Sequence, residues 1–197
     1  MAITNGYCTL ADVKGALRIT DTVDDGLLEI AVESASRQID GYCERVFYSE
    51  SDVRFYTPIS SYICVIDDLV SLTNLKTADD AEGVFDTVWQ SGDYQLEPLN
   101  GRAGGIDTPA TQIRAVGDFL FPTVGEEATV RVEGTFGFSA IPIAVRQATI
   151  LLSARQYKRY DSPLGVAGFS DLGVIRVSNI DPDIAKLLDP FCRLRMA

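Results

Sequence analysis

The spacing of hydrophobic and polar positions changes twice along the 197-residue chain, which divides it into three stretches. The first stretch is helical. Thr9 is suited to cap a short helix over Thr9–Ile19, with Asp12 at its third position as a capping-box partner. Leu10, Val13 and Leu17 come next at spacings of three and four. After the turn TDTVDDG, a longer helix is expected over Asp25–Val46. Leu28, Ala31, Val32, Ala35, Ile39, Tyr42, Cys43 and Val46 fall at helical spacing, while Glu29, Glu33, Arg37, Asp40 and Glu44 lie mostly on the other side. This is the strongest periodic signal in the sequence.

From Ser49 to Phe138 the pattern becomes short extended runs separated by turn residues. The expected strands are Val53–Tyr56, Tyr62–Ile66, Leu72–Ala78, Phe85–Trp89, Tyr94–Glu97, Gln112–Ala115 and Thr129–Glu133. Asp79-Asp80, Glu82-Gly83, Ser91-Gly92, Asn100-Gly101, Gly104-Gly105 and Val124-Gly125 punctuate them. Such spacing suits a small antiparallel sheet or barrel-like module.

Helical spacing returns over Pro142–Tyr160. Val145, Ala148, Thr149, Leu152, Arg155 and Gln156 trace one face; Ile150, Leu151, Ala154 and Tyr157 trace much of another. A helix apolar on more than one side is central to a bundle or covered by a neighbouring subunit. The loop SPLGVAGFSDLG, a short strand Val174–Val177 and a last helix Asp181–Leu188 with Pro182 at its first position complete the pattern. The tail from Phe191 alternates apolar and basic residues and reads as an extended arm. The expected class is α+β: a helical bundle from the N- and C-terminal segments with an antiparallel β module inserted between them. Its parts are residues 1–48, the β module 49–138, residues 139–190 and an arm at 191–197.

Composition narrows the chemistry. The sequence has no histidine, which removes histidine-based nucleophile pairs, general bases and metal ligands. The four cysteines Cys8, Cys43, Cys64 and Cys192 form no CxxC pair, so neither a zinc site nor a redox motif is indicated. With no secretory signal pattern at the N-terminus and no apolar run long enough to span a membrane, a soluble intracellular protein with free thiols is expected. The net charge is −11 and unevenly spread: residues 1–141 hold 9 Lys/Arg against 23 Asp/Glu, residues 142–197 hold 8 against 5. Tight binding to duplex DNA through phosphate neutralisation is therefore not expected, and the two ends should meet different neighbours.

No catalytic, metal or cofactor site is expected. Asp79, Asp80, Glu82 and Asp86 lack the spacing of a calcium loop and read as a solvated hairpin turn. Asp21, Asp24 and Asp25 read as helix-capping residues, since Val23 sits where a calcium loop needs oxygen. Asp67 and Asp68 are adjacent in a strand and point to opposite faces, so they cannot converge on one substrate. Gly101, Gly104 and Gly105 carry no P-loop lysine and read as a hairpin loop. The apolar residues Leu164, Val166 and Phe169 in a loop, and Phe191, Leu194 and Met196 in the tail, point instead to docking on other chains, with Arg193 and Arg195 suited to acidic neighbours.

The segments CTLADVKGALRI and TVDDGLLEIAVESASRQIDGYCERVF, together with IPIAVRQATILLSARQYKRYDSPLG and LGVIRVSNIDPDIAKLLDPFCR, resemble the head–tail connector (adaptor) proteins of long-tailed bacteriophages. The middle, with IDDLVSLTNLKTADDAEGVF, SGDYQLEP and VRVEGTFGF, resembles the versions in phages of actinobacteria. The resemblance implies a non-enzymatic virion protein in a ring, usually of about twelve copies, beneath the portal protein. Such a ring extends the DNA channel, lets double-stranded DNA pass without gripping it, and receives a stopper or tail-terminator neck protein. It implies assembly in the host cytoplasm, no cofactor and no membrane partner. On this basis Phe191, Arg193, Leu194, Arg195 and Met196 are expected at the portal, and Leu151, Tyr157, Leu164, Val166 and Phe169 between subunits. The alternative is a small non-enzymatic binding module that caps another intracellular assembly. A third reading, a carboxylate-based hydrolase, would need two acids with raised pKa in one cleft.

Overall fold

The computed structural model describes residues 2–78, 83–103, 105–123, 128–160 and 181–193. The chain is of mixed α+β class, with four α-helices and a six-stranded antiparallel sheet among the described residues. It divides into two compact units, Met1–Arg45 with Ile141–Ala197, and Val46–Ala140.

The first unit holds the helices. Helix α1 (Leu10–Leu17) starts at a complete capping box: the Asp12 amide donates to Thr9 Oγ1 at 3.2 Å, and the Thr9 amide donates to Asp12 Oδ2 at 2.9 Å. Helix α2 (Asp25–Cys43) is followed by Glu44 in the left-handed region, so it ends before the Val46 limit read from the sequence. A backbone reversal ends this helix, while its apolar spacing runs on. Helix α3 (Ile143–Tyr160) runs antiparallel to α2: the Tyr157 hydroxyl donates to Asp24 Oδ2 at 2.6 Å, and Ser153 Oγ lies 3.5 Å from the Ala31 carbonyl. The two helices meet through small side chains, with Ala31, Ala35, Ser36, Ala148, Thr149 and Ser153 all buried. The buried hydroxyls of Ser36, Thr149 and Ser153 each donate to the carbonyl four residues earlier, which satisfies them inside an apolar contact. Helix α1 and the segment before it add Cys8 and Val13 to a cluster with Leu28 and Val32. Helix α4 (Pro182–Leu188) buries Ile184 and Leu188.

The second unit is built around one long strand. The strands are β1 (Glu50–Tyr56), β2 (Ile63–Thr77), β3 (Thr87–Trp89), β4 (Tyr94–Glu97), β5 (Arg102–Ala103), β6 (Ile106–Asp107), β7 (Ala110–Ala115) and β8 (Val130–Phe136). The sheet order is β1-β8-β2-β7-β4, with β3 also on β2; β5 and β6 pair separately. The first half of β2 pairs with β7, Cys64 opposite Ile113, and the second half with β8, Leu75 opposite Val132. The sequence expectation of two strands, Tyr62–Ile66 and Leu72–Ala78, is corrected here. Asp67-Asp68 looks like a break, but the strand continues through it with register shifts on both partners. The core joins Cys64, Ile66, Leu69, Leu75, Ile113, Val130, Val132 and Phe136 to Trp89, whose ring stacks on Phe121 at 4.5 Å and whose indole N–H donates to Thr77 Oγ1 at 3.1 Å. The expected strand Val174–Val177 lies outside the described residues.

Candidate functional site

The described end of the chain is fastened to the C-terminal end of α2. After α4, Asp189–Phe191 forms a 3₁₀ turn, and Phe191 is only 2% exposed. Phe191, expected as the first residue of the extended arm, is buried here, and its carbonyl accepts from Arg45 Nη1 at 3.2 Å. The Tyr42 hydroxyl donates to Asp189 at 2.8 Å, and the Arg193 amide donates to the Cys43 carbonyl at 3.0 Å. Donation to Asp189 pushes the Tyr42 hydroxyl up to about 12. Cys192 Sγ lies 3.3 Å from Cys43 Sγ. Burial raises both thiols, so neither is an activated nucleophile. Arg193 is the last described residue, and Leu194, Arg195 and Met196 lie outside the described residues. The sequence missed this anchor because an apolar–basic alternation looks the same whether its first aromatic is a core plug or a docking side chain.

Of the residues expected between subunits, Leu151 and Tyr157 are described. Leu151 lies on the exposed side of α3. Tyr157 is half-buried, packs against the α1–α2 cluster and donates its hydroxyl to Asp24. Leu164, Val166 and Phe169 lie outside the described residues. Helix α3 also exposes Ile143, and α2 exposes Leu27 and Ile30 beside its buried stripe. The sequence concealed the α2 pair, because helical spacing alone assigns only the stronger stripe to a face.

Several carboxylates are tied into the fold. Asp67 accepts from Arg54 Nη1 at 3.1 Å and from the Tyr56 hydroxyl at 3.2 Å, whereas its neighbour Asp68 is buried. The opposite placement expected of adjacent strand residues is observed. Glu97 accepts from Arg114, Gln112 and Gln95, and the Arg114 hydrogen bond holds its carboxyl below the usual range. Asp12 pairs with Arg146 of α3 at 2.6 Å, which lowers its carboxyl to about 2. Among the described residues, no group of three or more acidic or cysteine side chains is placed to hold a metal ion. No helix among them is long and apolar enough to cross a membrane. What the described residues present is a set of exposed apolar positions on α2 and α3 and a fastened chain end.

Comparison with known proteins points the same way. Residues 7–76, from just before α1 almost to the end of β2, match the model of a family described as phage gp6-like head–tail connector proteins. No curated protein sequence matches the chain. Among solved structures, the chain is similar to a subunit of the neck of an empty gene transfer agent particle computed with C6 symmetry. Identity is 20%, coverage is 100% of this chain and 95% of that one, and the TM-score is 0.62. It is similar to a subunit of the neck of the native particle computed with C12 symmetry, at 20% identity, 100% and 94% coverage and a TM-score of 0.60. The virion of the native particle holds a chain matched at 21% identity, 100% and 95% coverage and a TM-score of 0.60. The fold is shared over both units, and the resemblance to head–tail connector proteins seen in the sequence stands.

Proposed function

We propose that this chain is a non-enzymatic subunit of a virion neck, forming a ring adaptor between the portal and the tail or neck proteins and extending the DNA channel. The observation that carries this reading is the likeness to neck subunits over the whole chain, joined by the connector-family match across α1, α2 and the first strands. The relatives' necks were computed with sixfold and twelvefold symmetry, which supports a closed ring here. A ring around moving DNA must not grip phosphates, and a chain of net charge −11 repels the duplex backbone.

In this reading the anchored turn at Phe191 positions the last residues of the chain. Arg193, Leu194, Arg195 and Met196 form the portal contact, a short basic and apolar segment that orders on its partner. Leu151, Leu164, Val166 and Phe169 serve contacts between subunits, and the second partner is a stopper or tail-terminator protein. The ring assembles in the host cytoplasm and resides in the virion neck. Immunogold labelling of intact particles with antibody against this chain tests the reading. Label confined to one capsid vertex is expected; label spread over the capsid, or absent from particles, contradicts it.

A further inference from the structure

We infer that Cys43 and Cys192 form a redox-operated clamp: a small-molecule disulfide in solution oxidises the pair, and the bond between them locks the described end of the chain onto α2. The two sulfurs are 3.3 Å apart, and both face the Leu188 carbonyl oxygen, Cys43 at 4.0 Å and Cys192 at 3.4 Å. A disulfide holds its sulfurs about 2 Å apart, so the two must close by little more than about 1 Å. The flanking residues already draw the two segments together. The Arg193 amide donates to the Cys43 carbonyl at 3.0 Å, Arg45 Nη1 donates to the Phe191 carbonyl at 3.2 Å, and the Tyr42 hydroxyl donates to Asp189 at 2.8 Å. Both cysteines belong to the helical unit, so the junction is independent of where the sheet unit sits. The other two cysteines are placed differently, Cys8 in the α1–α2 cluster and Cys64 in the sheet core.

The pair has an accessible member and a buried one. Cys192 is partly exposed, whereas Cys43 is fully buried. Cys192 gives its proton to solvent and, as a thiolate, attacks one sulfur of oxidised glutathione. The glutathione S–S bond breaks, a mixed disulfide forms at Cys192, and one glutathione thiolate leaves and takes up a proton. The Cys43 sulfur, deprotonated in turn, attacks the Cys192 sulfur, and the second glutathione thiolate leaves and is protonated. Two protein thiols lose two electrons, and one glutathione disulfide is reduced to two thiols. Burial raises both cysteines, so the exchange is slow, as suits a lasting link rather than a catalytic one. The S–H donors lost at Leu188 are weak ones. The link joins positions 149 apart in sequence, which removes much freedom from the unfolded chain. It also keeps the turn Asp189–Phe191 on α2 when the hydrogen bonds there open. On the neck reading above, the chain passes from a reducing host interior, where the thiols stay free, to the outside, where a disulfide persists.

To test this, the folded wild-type chain is incubated with oxidised glutathione, its remaining thiols are blocked in mildly acidic urea, and it is digested with trypsin without reduction. Mass spectrometry should find one disulfide, joining residues 38–45 to residues 187–193. The oxidised chain should unfold at a higher urea midpoint than the same chain in reductant, and its Arg193 amide should exchange with deuterium at least about tenfold more slowly. Cys192→Ser should form no link and show the same midpoint with oxidant and with reductant. Cys43→Ala should stop at a glutathione adduct on Cys192. A wild-type chain that stops at that adduct, stays reduced, or links Cys192 to Cys8, to Cys64 or to another chain overturns the inference. So does a Cys43–Cys192 link that leaves the midpoint and the Arg193 exchange unchanged. The chain is tested without a portal, so failure here leaves the ring reading standing, and a clamped chain that never binds a portal ring would keep the clamp and remove the connector role.

Discussion

Cys192 lies with its sulfur 3.3 Å from that of Cys43, and this contact closes the chain end onto the last residue of α2. With Phe191 buried beside it, the pair ties the described end of the C-terminal segment into the fold. Phe191→Ala should cost about 3–5 kcal/mol of stability, the usual effect of emptying an aromatic core site. Deleting residues 194–197 should leave the urea midpoint within error of wild type and abolish binding to the portal ring. Equal stability of the two variants would return Phe191 to the arm.

The thiols should react in a set order. Burial holds the Cys8 and Cys64 thiols up at about 12 and raises Cys43 as well, whereas Cys192 is partly exposed. A thiolate-selective reagent at pH 8 should label Cys192 first and the other three only on the timescale of unfolding. Labelling followed by mass spectrometry checks this, and early modification of Cys64 would contradict the packing of the sheet core.

Acid should loosen α1 from α3. The Arg146 hydrogen bond depresses Asp12 from 3.8 to about 2 in the folded chain. A depressed carboxyl contributes stability that is complete above the unfolded value and is lost as pH falls from about 4 toward 2. Asp12→Asn should therefore lose less stability than wild type between pH 5 and pH 2.5, and the difference should shrink in high salt. Identical losses in urea titrations at the two pH values would show that the pair is energetically silent.

Gly137 is required by its backbone. It follows β8 with φ of 100°, and a Cβ there would sit 1.9 Å from the Tyr48 carbonyl oxygen. Gly137→Ala should destabilise by more than about 1–3 kcal/mol, since positive-φ strain and a backbone clash act together. Alanine at Gly15, which meets open space and sits inside α1, should be neutral or stabilising. In thermal melts Gly137→Ala should therefore melt well below wild type and Gly15→Ala at or above it.

The elements that were legible in the sequence are those in which local chemistry and burial agree. The Thr9–Asp12 capping box, the 3.6-residue spacing of Leu28 through Cys43 and the Tyr94–Glu97 strand all appear in the structure where local pattern put them. The continuity of β2 was hidden, because Asp67 and Asp68 break the apolar run and only tertiary partners show that Asp67 is held by Arg54 and Tyr56. The intrachain bond of Tyr157 was hidden, because nothing local reveals that Asp24, far along the chain, receives its hydroxyl. The exposed apolar positions were half legible: Leu151 stood out on a helix apolar on two sides, but Leu27 and Ile30 were masked by the better stripe beside them.

The connector reading itself is tested most directly by sedimentation velocity of the purified chain mixed with the portal ring of the same virus. One complex holding about twelve copies per portal is expected, the symmetry of the native neck that the chain resembles. A folded chain that sediments apart from the portal at every ratio would contradict it.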